Sequence, residues 1–297
     1  MHENQAPPLQ EGWNPIQLPA DYPFLVGVAW AIILAGLAAD AWLLAVALRK
    51  RDPDAPPFRK ITEKPWGLAE VGMIVGTLCL ALLLSSFLLS WAERLGDLSK
   101  EQLRQFEMLG SVVVIDGLGI AAIVLLLRSL RIRRSEAFGI VPGSLFRAGG
   151  RALFYLLAAL PPVWFLAFLS EQILTRLNLP LKSQEAMQLF LESDSGLTLS
   201  TIAFTAVVAA PLFEELFFRG LVYPALKQRT GFAAALVVTS ILFAAIHFHV
   251  LSFLPLTVLA IGLTLAYEAT GNLLVPIVMH SVFNLMTIVC MVIVRAG

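Results

Sequence analysis

Glu214 and Glu215 stand side by side in an apolar run, with Ala203-Phe204-Thr205-Ala206-Val207-Val208-Ala209-Ala210-Pro211-Leu212-Phe213 before them, Leu216-Phe217-Phe218 after them and Arg219 closing the group. An ionisable side chain inside a membrane span costs roughly 2.5–3.5 kcal/mol on insertion scales, so two adjacent carboxylates there imply a use and a set of partners. On a helix Glu215 and Arg219, four apart, share a face, while Glu214 is turned about 100° from Glu215. One glutamate can therefore pair with the arginine while the other stays free. Further along, Phe243-Ala244-Ala245-Ile246-His247 and His280-Ser281-Val282-Phe283-Asn284 supply two histidines and an amide. His280 and Asn284 again share a face.

Such a set supports narrow chemistry. A carboxylate in a dry pocket holds its proton more tightly than in water, which suits it to take a proton from a water molecule and pass it to a leaving amine. A neutral histidine beside it can orient that water. Asn284 and the second histidine can donate to a developing oxyanion, a contribution whose removal typically costs about 2.7–4 kcal/mol. The reaction class is hydrolysis of an acyl bond by activated water. No nucleophilic side chain competes: Ser281 follows His280 directly and points elsewhere on the helix, and Cys79 and Cys290 lie in apolar runs without a base. The two cysteines read as packing residues, not as a disulfide or a zinc knuckle. Glu214, His247 and His280 could also serve as three ligands of a catalytic zinc, with Asn284 as a weak fourth. No His-Glu-x-x-His helix is present and neither histidine has a nameable outer partner, so the expected cofactor is none.

The elements that must hold these side chains are membrane helices. The chain is 58% hydrophobic and 14% charged with mean hydropathy +0.79, outside the range of soluble domains. Formal net charge is zero and nucleic-acid signatures are lacking, so nucleic acid is not an expected partner. Taking about 20 mostly apolar residues per span, the expectation is an all-α polytopic bundle of about eight transmembrane helices, at Pro23–Leu48, Gly67–Trp91, Met108–Leu127, Ala152–Leu169, Leu199–Leu226, Phe232–His249, Leu254–Tyr267 and Asn272–Val294. No Lys or Arg precedes Arg49, so the N-terminal stretch does not read as a secretory signal.

Cations cluster in alternate loops: Arg49, Lys50, Arg51, Arg59, Lys60 and Lys64, then Arg128, Arg131, Arg133, Arg134, Arg147 and Arg151, then Lys227 and Arg229. The positive-inside rule makes these loops cytoplasmic and places both termini on the other side of what is expected to be the cell membrane. The opposite loops hold only Arg94, Lys100 and Arg104, and Arg176 and Lys182. Asp52-Pro53-Asp54-Ala55-Pro56-Pro57 reads as a linker, and Ser183–Leu191 as a short amphipathic helix at the interface.

Depth then brings the polar residues together. Glu214 precedes Lys227 by thirteen residues, or about 20 Å, and His247 follows Gly231 by sixteen, about 24 Å. His280 and Asn284 lie near 12 and 18 Å from Asn272 by the same rise. Side chains from three helices thus occupy one broad layer, the pattern of a buried reactive site.

The patterns Glu-Glu-x-x-x-Arg at 214–219, Phe-x-x-x-His at 243–247 and His-x-x-x-Asn at 280–284 resemble the three motifs of the CPBP family, the CAAX protease and bacteriocin-processing intramembrane proteases, which includes the type II CAAX prenyl endopeptidases. The string Gly262–Leu273 resembles the linker that family places before its last motif. The match is strong over Leu199–Leu285 and loose over Arg128–Ser195, with no motif in the first 127 residues, which divides the chain at 1–127, 128–198 and 199–294. The resemblance implies an intramembrane endopeptidase acting on a peptide or protein at the membrane, with CAAX-type processing as one form. It implies that Glu214 activates water with help from His247, and that His280 and Asn284 form an oxyanion hole. Glu215, Arg219 and Phe243 would support the geometry. A non-proteolytic module of the same family, in immunity or as a scaffold, is the main alternative. A proton-relay transporter is weaker, because no repeat or pair of broken helices is visible. His249, two residues from His247, faces elsewhere and reads as structural. Asp40 and Asp116 are minor candidates as partners for Arg219. Substrate identity and oligomeric state are not legible here.

Overall fold

Long apolar runs free of turn signals can only satisfy their backbone groups in lipid as helices. In the computed structural model, which describes residues 23–49, 61, 63–94, 110, 112–141, 143–181 and 184–296, every element is helical. The chain is an all-α polytopic membrane protein. Lys50, Arg51, Arg59, Lys60, Lys100, Arg104, Lys182, Ser183, the linker 52–57 and the beginning of the third expected span lie outside the described residues.

The helices are α1 (Pro23–Arg49), α2 (Leu68–Arg94), α3 (Leu118–Ser129, entered through a π-helical turn at Val112–Gly117), α4 (Arg134–Phe138), α5 (Leu145–Arg176), α6 (Glu185–Glu192), α7 (Gly196–Phe204), α8 (Ala210–Glu215), α9 (Tyr223–Ala245), α10 (Val250–Thr270) and α11 (Leu274–Ala296). Among the described residues six helical stretches are long and apolar enough to cross a membrane, against about eight expected. Two local causes account for the difference. Gly196–Ala245 is one helical stretch of 50 residues in which the expected fifth and sixth spans are joined. Gly231 breaks it with φ 80 and ψ 177, a backbone conformation that costs glycine little and other residues much. Phe218 and Phe243 face each other with ring centroids 5.3 Å apart, whereas 25 residues of unbroken helix would separate them by about 37 Å. The chain therefore turns back on itself at Gly231. The third expected span is interrupted by its π-helical entry, so its regular part is only the 12 residues of α3.

The expected fourth span is longer than read, 32 residues as α5, and continues through Pro161 and Pro162. Pro161 has no N–H to give the Leu157 carbonyl, and α1 crosses there so closely that a Cβ on Gly36 would sit 2.3 Å from that oxygen. The amphipathic helix is present as α6, with Phe190 turned inward. Arg295 at the end of α11 ties the segment after it down, donating to the carbonyls of Phe190 and Ser193 and to Asp194.

The two largest of four apolar clusters among the described residues hold most of the molecule. One joins Trp66 and the first turns of α2 to α3, α4 and the segment Phe213–Ala225; the other joins α5, α10 and α11 through Leu160, Leu263 and Met279. The Arg-rich segment docks onto the loop before α11: Phe138 accepts from the Leu273 N–H at 2.9 Å. Gly139, at φ 67, passes so near Gly271 that a Cβ would lie 1.8 Å from the Gly271 carbonyl oxygen.

Candidate active site

Two prolines shape the helix that carries the carboxylates. A residue that cannot donate leaves the α-helical ladder one bond short, and in both places the ladder shifts register just before the proline. The N–H of Ala210 reaches the carbonyl of Thr205, five residues back, ahead of Pro211; the N–H of Tyr223 reaches Phe218, again five back, ahead of Pro224. Thr205–Ala209 and Leu216–Val222 are accordingly π-helical, and between them lies the single α-helical turn Ala210–Glu215. π turns of this kind are uncommon and tend to occur at functional sites.

The first register shift also decides where Asn284 goes. In a π ladder the Ala206 carbonyl would accept from residue 211, which is proline and has nothing to give. Asn284 fills the vacancy, its Nδ2 donating to that carbonyl at 2.7 Å. Expected as an oxyanion donor, Asn284 thus places one amide hydrogen on the backbone just upstream of Glu214 and keeps a second.

The neighbouring glutamates are held in very different ways. Glu215 is fully buried, with Oε1 accepting from Arg219 Nη1 at 2.8 Å and lying 3.0 Å from His280 Nδ1. Arg219, also fully buried, reaches Thr264 Oγ1 with Nε at 3.4 Å and the Ala260 carbonyl with Nη2 at 3.1 Å. The ion pair expected from the four-residue spacing is present, and Glu215 has histidine as a second partner that the spacing did not show. Glu214 is 16% exposed, its Oε2 lies 3.9 Å from His280 Nε2, and that oxygen has no hydrogen-bond partner. His280 therefore stands between the two carboxylates. With Nδ1–H donating to Glu215, the imidazole ring is fixed and Nε2 is presented to Glu214.

Phe243 is the hub of the aromatic packing. Fully buried, it lies under the Arg219 guanidinium at 4.5 Å and within 5.1 Å of the His247 ring and 5.7 Å of the His280 ring. His247 is half-buried and its Nδ1 lies 2.7 Å from the Phe243 carbonyl. Among the described residues no hydrogen bond joins Glu214 to His247 or to Asn284; the imidazole it faces is that of His280. His249 caps α10, accepting from the Ser252 N–H. Asp40 is half-buried in α1. Asp116, buried in the π turn before α3, does not touch Arg219 but lies close enough to Glu214 for the two carboxylates to interact electrostatically.

The sequence pattern did not reveal Thr264, the Ala260 carbonyl or the approach of Asp116, since residues 41, 45 and 98 positions from their partners leave no periodic trace. Among the described residues no three His, Cys, Asp or Glu side chains are gathered as a metal-ligand set.

Residues 196–286 match the family model described as "Type II CAAX prenyl endopeptidase Rce1-like". This segment contains all three motifs and the linker between the second and third. An 82-residue stretch is 27% identical to the Bacillus subtilis (strain 168) protein named "Putative membrane peptidase YdiL", covering 28% of this chain and 34% of that protein. The chain thus spans about a third of the length of the curated relative it matches. No solved structure matches it.

Proposed function

We propose that the protein is an intramembrane endopeptidase that hydrolyses a peptide bond of a membrane-associated substrate with water activated by Glu214. The observation that carries this reading is the unequal treatment of the two glutamates: each has an Oε2 without a hydrogen-bond partner, but Glu215 is fully buried with Oε1 held by Arg219 and His280, while Glu214 is 16% exposed and its Oε2 faces His280 Nε2. A buried, preorganised ion pair beside a free carboxylate is what general-base chemistry needs.

In the proposed reaction a water molecule lies between Glu214 Oε2 and His280 Nε2, a 3.9 Å gap that one water can bridge. Glu214 takes one proton from the water as its oxygen bonds to the scissile carbon. The oxyanion formed accepts from the remaining Asn284 N–H, while His280 Nε2, without a hydrogen in the tautomer that donates to Glu215, accepts from the water's second O–H and orients it. The C–N bond then breaks, and the proton held by Glu214 passes to the leaving nitrogen. His247 donates from Nδ1 to the Phe243 carbonyl, which leaves Nε2 of the neutral ring as an acceptor that can help hold the attacking water. The family match extends the proposal to substrates cut near a C-terminus at the membrane boundary, CAAX-type processing included. No metal ion takes part in this scheme. If purified, chelator-washed protein held one zinc per chain and lost it together with its activity, the metal-free step would be wrong.

The deciding experiment compares peptides retained by Glu214→Gln protein and by wild type in native membranes. The variant is expected to fold, to cleave about 10²–10⁴-fold more slowly and to accumulate uncut substrate. Cleavage by Glu214→Gln at the wild-type rate would remove the base from the scheme.

A further inference from the structure

One buried carboxylate has no part in this chemistry. Glu268, near the end of α10, is fully buried; its Oε1 accepts from the Tyr223 hydroxyl at 2.6 Å and from Lys227 Nζ, and its Oε2 is unpartnered. Lys227 also donates to the Ile61 carbonyl at 3.1 Å, in the segment leading into α2. Burying a carboxylate costs several kcal/mol, and a partner group recovers that only with good geometry. Tyr223 and Lys227 lie four and eight residues beyond Arg219, and Glu268 lies four beyond Thr264. The two stripes therefore run in parallel, with Arg219 on Ala260 and Thr264 as one rung and Tyr223 with Lys227 on Glu268 as the next.

The first rung stands inside the π-helical segment Leu216–Val222, which contains Arg219, and the second begins at Tyr223, directly after that segment ends. Its register is not that of the helix on either side, and adding or losing one residue turns everything beyond it by about 100°. An irregular backbone persists only where its surroundings over-determine it. Pro224 removes the competing α-helical bond at one point, but it does not hold the rotation of the segment. On the Glu214 side the rotation is held by His280 and Glu215. On the far side it is held by Glu268, through Tyr223 and Lys227.

We propose that Glu268, with Tyr223 and Lys227, is a positioning site for the reaction: it clamps the far end of the π-helical segment and so sets the angle at which Arg219 holds Glu215 and His280. The proposal builds on the endopeptidase reading but has a readout independent of it. Glu268→Gln and Lys227→Met lower kcat about tenfold to a hundredfold, as expected of an active-site group displaced by roughly an ångström, with KM little changed. Lys227→Arg, which keeps the charge, restores most of the rate. Tyr223→Phe removes only the hydroxyl and serves if Glu268→Gln does not fold. All are measured in nanodiscs with a quenched fluorescent transmembrane peptide that the wild type cuts.

The second readout is a thermal cycle. If the clamp acts through Arg219, Glu215→Gln and Glu268→Gln lower Tm non-additively, by about 2–4 °C or more. Additive shifts overturn the proposal whatever the rates, and so does an unchanged kcat in folded Glu268→Gln or Tyr223→Phe protein. If Glu214→Gln cleaves as well as wild type, the endopeptidase reading falls and the thermal cycle alone decides the clamp.

Discussion

The first two helices and the last two solve the same problem, a membrane-length apolar helix, in opposite ways. Only 11% of the α1 span and 6% of the α2 span are buried in protein, against 39% for α10 and 22% for α11. Trp30, Trp42, Leu83 and Phe87 lie on outward surfaces more than half exposed. Lipid tails are as apolar as leucine, so such helices gain little by packing inward. The segment from Glu214 to His280 must do so, because Glu215, Arg219 and Glu268 are tolerable there only with partners supplied by other helices. Buried charge therefore draws these helices inward, whereas α5, 33% buried, is held by apolar contacts.

That contrast can be broken, and the strongest attempt is Arg219→Met. Removing Arg219 leaves the buried Glu215 with only the His280 imidazole, at a cost of up to about 3–5 kcal/mol, seen as a marked loss of Tm in detergent; an unchanged Tm would show that the pair is not what holds the core. Glu214→Gln comes next and separates function from stability within the same turn. Cleavage falls about 10²–10⁴-fold, the usual contribution of a general base, while Tm stays near wild type because the Glu214 Oε2 has no partner to lose. A smaller effect is expected of Asn284→Ala, which orphans the Ala206 carbonyl and costs about 1–3 kcal/mol. Pairing it with Pro211→Ala sharpens the point, since a restored N–H at position 211 gives that carbonyl a backbone donor and should recover part of the loss. At the bottom of the scale, Leu83→Ala and Phe87→Leu on the outward face of α2 shift stability by no more than about 0.5 kcal/mol. A large loss there would mean that the outward face is packed against protein.

Much of this is legible in the sequence. The pairing of Glu215 with Arg219 follows from four-residue spacing, and the convergence of three helices follows from counting residues from the basic turns. The division of labour between the glutamates followed too, but only in part. Spacing ties Glu215 to Arg219, and the resemblance implies His280 in an oxyanion hole beside Glu214; that His280 also lies 3.0 Å from Glu215, nearer than its 3.9 Å to Glu214, is legible in neither. The expected count of about eight spans differs from the six long stretches because a glycine break and a π turn change where a helix is continuous without changing how apolar it is.

The sequence alone determined that this is a membrane bundle with two carboxylates, two histidines and an amide at one depth, because hydropathy and the 1.5 Å rise are local properties of the chain. Only the tertiary structure decided how those groups are aimed. Pro211 and Pro224 are plain in the sequence, but where the freed bonds go, with Asn284 onto the Ala206 carbonyl, is set by a helix 78 residues away. The same holds for Glu268: an unremarkable acid near the end of α10 becomes a buried clamp because parallel packing places Tyr223 and Lys227 beside it. Local periodicity assigns a residue to a face, and only the neighbouring helix determines what that face meets.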